Sequence, residues 1–121
     1  MAQKPVRLFL DCQYECDIDF TRTEIPWVDH VRDRADADLH VLVTTRSTAA
    51  SGREFTLAFI GLKEFAGLGD TVTVVSPESD SQDGRRRMVT EAIKRGLLRY
   101  VARRPGSEKL TVYSPGLSSM P

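Results

Sequence analysis

The chain has 121 residues, 40% hydrophobic and 28% charged, with 17 basic and 17 acidic side chains and a formal net charge of zero. Such a chain is long enough to bury one core without staples, too apolar to be disordered, and too evenly charged to be drawn wholesale to nucleic acid or acidic lipid. No apolar run approaches the roughly 20 residues of a membrane-spanning helix and no signal-peptide pattern is present, so direct membrane insertion by this segment is not expected.

The first element, Val6-Arg7-Leu8-Phe9-Leu10-Asp11, alternates apolar and mixed residues and reads as a strand. Behind it, Asp11 to Asp19 packs both cysteines, Cys12 and Cys16, and the carboxylates of Asp11, Glu15, Asp17 and Asp19 into nine residues. The exit from the first strand is a common place for an α/β protein to put a site. Ile25, Val28 and Val31, with Trp27 beside them, predict a helix between Ile18 and Asp33. Thr23 is its expected N-cap, with Pro26 in the first turn, where the missing N–H costs little. A start nearer Asp19 would put Pro26 inside the helix and kink it.

Leu39 to Thr45 and Arg53 to Ile60 read as strands two and three, a hairpin with a long mobile loop over Ser47–Gly52. Gly61 to Asp70 is a connection that must turn Leu62, Phe65 and Leu68 inward, and Thr71 to Val75 is strand four. After an acidic lead-in over Ser79–Gly84, the residues Met88, Val89, Ala92, Ile93, Gly96, Leu97, Tyr100 and Val101 form the stripe of a long amphipathic helix. Arg87, Glu91 and Arg95 on its other side are spaced for i, i+4 pairing. Arg104-Pro105-Gly106 ends it, and Leu110 to Tyr113 is a short last strand.

The predicted order is therefore β-α-β-β-β-α-β: an α/β two-layer sandwich with a mixed sheet of about five strands and both helices on one face. A right-handed crossover places the first two strands parallel, and a meander follows. Val6, Leu8, Leu10, Leu39, Val41, Val43, Phe55, Leu57, Phe59, Val72 and Val74 should face the helices. The other face would carry Phe9, His40, Leu42, Ala58 and Val75 and be left uncovered by this chain. The whole of residues 1–121 reads as a single domain excised from a longer exported protein, with a complete small cytosolic protein as the alternative: Ala2-Gln3-Lys4 has the character of a mature end left by signal cleavage, and the end at Pro121 brings no closing element.

Asp17 to Val28, with His30 to Arg34, Asp36 to Thr44 and Arg53 to Gly61, resembles the amino-terminal soluble part of a group of uncharacterised bacterial envelope proteins. In that group the domain follows a signal peptide and precedes a longer region with the character of an outer-membrane barrel. The likeness runs over most of residues 6–104. In topology alone the element order is similar to the amino-terminal domain of the translocation protein TolB and to the anticodon-binding-like α/β module. The resemblance implies a periplasmic or cell-envelope location and no particular activity. Relatives space the two cysteines one residue closer than Cys12 and Cys16, which weighs against a shared metal role.

For an exported chain, a disulfide between Cys12 and Cys16 is the leading reading, because oxidising compartments favour it. Two unpaired structural thiols, a thiol-redox pair and a zinc half-site are the alternatives. Asp11, Cys12, Cys16, Asp17 and Asp19 are the residues that a metal would use, although the glycine and closing glutamate of a calcium loop are missing and carboxylates leading into a helix explain them equally well. His30 and His40 read as packed histidines, the serines lack a histidine partner, and Gly61, Gly67 and Gly69 lack a dinucleotide spacing. Charge is segregated: residues 11–38 are acidic and residues 85–104 basic, which points to a dipolar surface. The basic helix hints at nucleic acid, but its arginines do not share one face and no aromatics are interleaved, so a solvated exterior or an acidic partner is favoured. The expectation is a non-catalytic, periplasm-facing interaction domain without a cofactor. It would meet a protein partner, the remainder of its own chain or a second copy through the uncovered face or through Arg86, Arg95 and Arg99. A thiol-redox or metal module at Cys12 and Cys16 is the first alternative, and an anticodon-binding-like nucleic-acid binder the second.

Overall fold

The computed structural model describes residues 5–12 and 16–102. It is an α/β fold in two layers: a five-stranded mixed sheet with two helices on one face. In chain order the elements are β1 (Arg7–Cys12), α1 (Ile18–Glu24), β2 (Asp29–His30), β3 (Leu39–Ser47), β4 (Arg53–Gly61), β5 (Gly69–Ser76) and α2 (Gln82–Val101), with single 3₁₀ turns at Arg34–Asp36 and Lys63–Phe65. The sheet order is β2-β1-β3-β4-β5. β1 runs parallel to both neighbours, with Phe9 opposite His40, and the meander through β3, β4 and β5 is antiparallel. The predicted strand at Leu110–Tyr113 lies outside the described residues; the fifth strand is instead the two-residue β2.

The first helix differs from expectation. Asp17, not Thr23, is the N-cap, accepting from the Phe20 N–H at 2.9 Å, and Thr23 lies inside the helix with its hydroxyl donating to the Asp19 carbonyl. Proline disfavours the α conformation in the residue before it, so Ile25 leaves the helix at φ −124°, ψ 68°, and the helix ends rather than kinks. Val28 and Val31 then belong to an extended segment: the Asp29 N–H donates to the Val6 carbonyl and the Val31 N–H to that of Leu8. Three-residue spacing cannot separate a helix face from a helix end followed by a short strand.

All nine predicted core positions on β1, β3 and β4 and in the approach to β1 are buried, while Val72 and Val74 on β5 are partly buried against that cluster. α2 closes the core with Val89, Ile93, Leu97 and Tyr100; Ser81 caps it, accepting from the Gly84 N–H at 2.9 Å. At about 25 cal/mol per Å² of apolar surface, this shared core is the main term holding the layers together. The connection between β3 and β4, predicted as a long loop, spans residues 48–52 and is held by its own hydrogen bonds. The Thr48 N–H donates to the Gly52 carbonyl, the Ser51 N–H to the Thr48 carbonyl and the Gly52 N–H to the Thr48 hydroxyl, giving a tight turn. Gly61 is required where it stands: a Cβ there would lie 2.0 Å from the Phe65 carbonyl oxygen.

Candidate functional site

Two surfaces concern the residues singled out from the sequence. The first gathers at the C-terminal end of β1. Cys12 ends that strand, and Cys16 stands just before the Asp17 cap, at disulfide-bonding distance with Cα atoms 6.1 Å apart. Cys16, Asp17, Gln82, Asp83, Arg85 and Arg86 line an open cleft of about 460 Å³ between the starts of α1 and α2. Its charges are engaged within the chain. Arg86 donates to Asp17 at 2.8 Å and to Asp83, and its guanidinium lies 4.4 Å from the centre of the Phe20 ring. Arg87 also holds Asp83, at 2.8 Å, and Arg85 donates to the Ser76 hydroxyl, which itself donates to Asp80.

Electrostatics follow from these contacts. The Phe20 N–H, then the Arg86 guanidinium, hold the Asp17 carboxyl below its usual range; Arg87 and Arg86 do the same to Asp83, and the two carboxylates raise Arg86. Carboxylates so firmly ionised are poor proton acceptors. The metal candidates separate: Asp11 faces His40, Asp17 serves its cap and Arg86, and Asp19 is exposed. Among the described residues no three of His, Cys, Asp and Glu converge as metal ligands.

The second surface is the sheet face away from both helices. Its cross-strand rows run Phe9–His40–Ile60, then Asp11–Leu42–Ala58–Thr71, then Thr44–Thr56–Thr73, then Arg46–Glu54–Val75. Phe9, Leu42, Ala58 and Ile60 are half-buried, and Val75 is 55% exposed. This face is not wholly uncovered. The segment between β2 and β3 brings Arg34 over it, its Nε donating to His40 Nδ1 at 3.1 Å; His40 Nε2 therefore carries the proton and donates to Asp11 at 3.2 Å. With Phe9 at 4.9 Å between ring centres, His40 is only 8% exposed, and so offers little contact area of its own.

The basic helix is likewise less free than its composition implies. Asp17 pairs with Arg86 and Glu24 with Lys94, so part of the acidic first third neutralises the basic last helix inside the fold. The expected pairing of Arg87, Glu91 and Arg95 is not made: Arg87 turns to Asp83 and Glu91 to Lys94 at 3.0 Å. Lys94, not among the residues singled out, is 2% exposed and joins Glu24 of α1 to Glu91 of α2, beside the Thr21–Thr90 hydroxyl bond of 2.8 Å. Its signal was present, one residue beyond the apolar stripe and four after Thr90, but only the packing of α1 turns that flank inward. Arg99 reaches Asp70 on β5 at 2.6 Å, while Arg95 is exposed and has no ion-pair partner among the described residues. Neither a family model nor a curated protein nor a solved structure matches this chain.

Proposed function

We propose that this domain is a non-catalytic, periplasm-facing interaction module of a bacterial envelope protein, acting through the sheet face opposite its helices. The observation that carries this is the half-buried apolar group of Phe9, Leu42, Ala58 and Ile60, gathered around His40 on two adjacent rows of the sheet face away from both helices. A contiguous apolar face of this kind on an otherwise well-charged domain is the usual mark of a contact surface. Cys12 and Cys16 at disulfide-bonding distance support an oxidising location.

Leu42→Glu tests the reading. Leu42 sits in the middle of the face, with Ala58 opposite it on β4 and Asp11 on β1. A carboxylate there should abolish docking of a partner or self-association, followed by light scattering and by photo-crosslinking from position 42 in the native host, while circular dichroism stays unchanged. Unaltered association together with loss of the folded signal would place Leu42 in the core and end the proposal. A thiol-redox role at Cys16, the second reading, draws on its place in the wall of the charged cleft. It predicts a mixed disulfide trapped by Cys12→Ser: the Cys16 thiolate attacks a disulfide-bonded protein and displaces one of its cysteines as a thiol, and no Cys12 thiol remains to resolve the product.

A further inference from the structure

β5 ends the sheet: it pairs with β4 and, among the described residues, with no other strand. The register tells which of its groups are free. Gly61 and Leu68 stand opposite each other in continuation of the β4–β5 ladder, and the Gly61 N–H donates to the Leu68 carbonyl at 2.9 Å. Hydrogen-bonded pairs alternate along an antiparallel ladder, so Asp70, Val72, Val74 and Ser76 bond to β4, while Thr71, Thr73 and Val75 direct their N–H and C=O groups outward. The Thr71 N–H is taken by the Asp70 carboxylate at 3.0 Å, the kind of local substitute that an edge residue without a strand partner adopts. Thr73 and Val75 have no such substitute among the described contacts.

Among the described residues this edge lacks the usual protections. Gly69-Asp70-Thr71-Val72-Thr73-Val74-Val75-Ser76 contains no proline and no lysine, keeps an unbroken register with β4, and is β-branched at five consecutive positions. Val72 and Val74 remain only partly buried beneath α2, and Val75 is 55% exposed. The helix layer above the edge is cationic. Arg99 comes down to Asp70, and Arg95, one turn earlier on the same side of α2, is exposed without an ion-pair partner among the described residues.

We infer that the outer edge of β5 is a strand-addition site for an extended peptide of another protein, one that places acidic side chains toward Arg95 and Arg99 and small or apolar ones beside Thr71, Thr73 and Val75. Main-chain bonds to Thr73 and Val75 supply affinity, and the alternation of side chains supplies selectivity. A second copy fits less well. Two β5 strands paired antiparallel about Thr73 set α2 beside α2, with Arg95 and Arg99 facing their own counterparts. The inference rests on the interaction reading above and names the chemistry of the partner.

The test uses the whole chain with two synthetic heptapeptides, one alternating valine with glutamate and one alternating valine with lysine. The glutamate peptide should bind at least about tenfold more tightly, as expected for complementary against like charge, and should slow amide exchange at Thr73 and Val75. Arg95→Glu should reverse the preference. Thr73→Pro, which removes only an outward N–H and is tolerated on an edge, should abolish binding with circular dichroism unchanged. Equal binding of both peptides, or none, overturns the inference. So does protection of Thr73 and Val75 in the free chain that disappears on truncation after Ala102, which would assign the edge to residues 103–121, or protection that grows with protein concentration, which would assign it to a second copy. Leu42→Glu measured alongside separates the two ideas: lost association there with no peptide binding leaves the sheet face standing and removes the edge.

Discussion

Gly96→Ala is the sharpest probe of the spacing between α2 and the sheet on which both surfaces depend. A Cβ at position 96 would stand 2.1, 2.5 and 2.7 Å from Cζ, Cε2 and Cε1 of Phe59, well inside the separation that carbon atoms tolerate. Phe59 is 1% exposed and stacks on Tyr100 at 6.2 Å, and Phe65 packs edge-on against Tyr100 at 5.5 Å, so the ring has no open side to move toward. Forcing a methyl into such a core costs about 1–3 kcal/mol, and a clash with three ring atoms belongs at the upper end. The helix gains about 1 kcal/mol when alanine replaces an interior glycine. The net expectation is a loss of about 2 kcal/mol, or roughly 10 °C in Tm for a domain of this size. Urea and thermal denaturation followed at 222 nm measure it, with Gly84→Ala, whose Cβ meets only the Ser81 hydroxyl at 3.3 Å, as the near-neutral control. Phe59→Leu introduced together with Gly96→Ala should cost less than the sum of the two single changes. A Gly96→Ala protein as stable as the parent would mean that α2 rides higher over β4 than described, and Arg95 and Arg99 would then not flank the β5 edge.

Three further outcomes follow from the same contacts. Thiol titration of the native, unreduced protein should find no free thiol, and Cys12→Ser with Cys16→Ser should lower stability by about 2 kcal/mol, the loop-entropy value for so short a closure. His30 donates from Nε2 to the Ile25 carbonyl at 2.8 Å with Nδ1 buried and unpartnered, and burial lowers its pKa below 6.5. The unfolded chain therefore binds the proton first, so stability should fall as pH drops below 6.5 toward the lowered folded value, and His30→Gln should flatten that slope in pH-dependent urea melts. Lys94→Ala leaves Glu24 and Glu91 facing each other without their cation and should cost about 2–3 kcal/mol, below the full range for a buried pair because both carboxylates are partly exposed; Lys94→Met should recover part of it.

The strands of the meander and the long helix were legible because their periodicities are clean and their caps local. Val41, Val43, Phe55, Leu57 and Phe59 point inward as alternation requires, and α2 carries the predicted apolar stripe, although it starts at Gln82, inside the lead-in, where Ser81 caps it. The stretch after Asp17 was not, because three principles compete there. Asp17 and Thr23 are both acceptable caps, Pro26 reads as a helix start or as a helix stop, and a two-residue strand such as β2 carries no periodicity. Tertiary pairing decides: Val6 and Leu8 offer their carbonyls to Asp29 and Val31, and the chain takes the ladder in place of two more helical turns.

Charge shows the same division between what composition carries and what packing assigns. An acidic first third and a basic last helix suggest a dipole turned toward solvent, but α1 lies on α2 and joins the two populations: Asp17 to Arg86, Glu24 to Lys94. What remains outside that pairing is local. Arg95, one turn before the Arg99 that reaches β5, is exposed and without an ion-pair partner among the described residues, beside a strand whose outward Thr73 and Val75 amides likewise find no partner among them. Neither feature alone names a contact surface, since a lone surface arginine is ordinary and an edge strand is common. Their adjacency gives the edge a charge preference as well as a hydrogen-bonding pattern, and a partner strand must satisfy both at once.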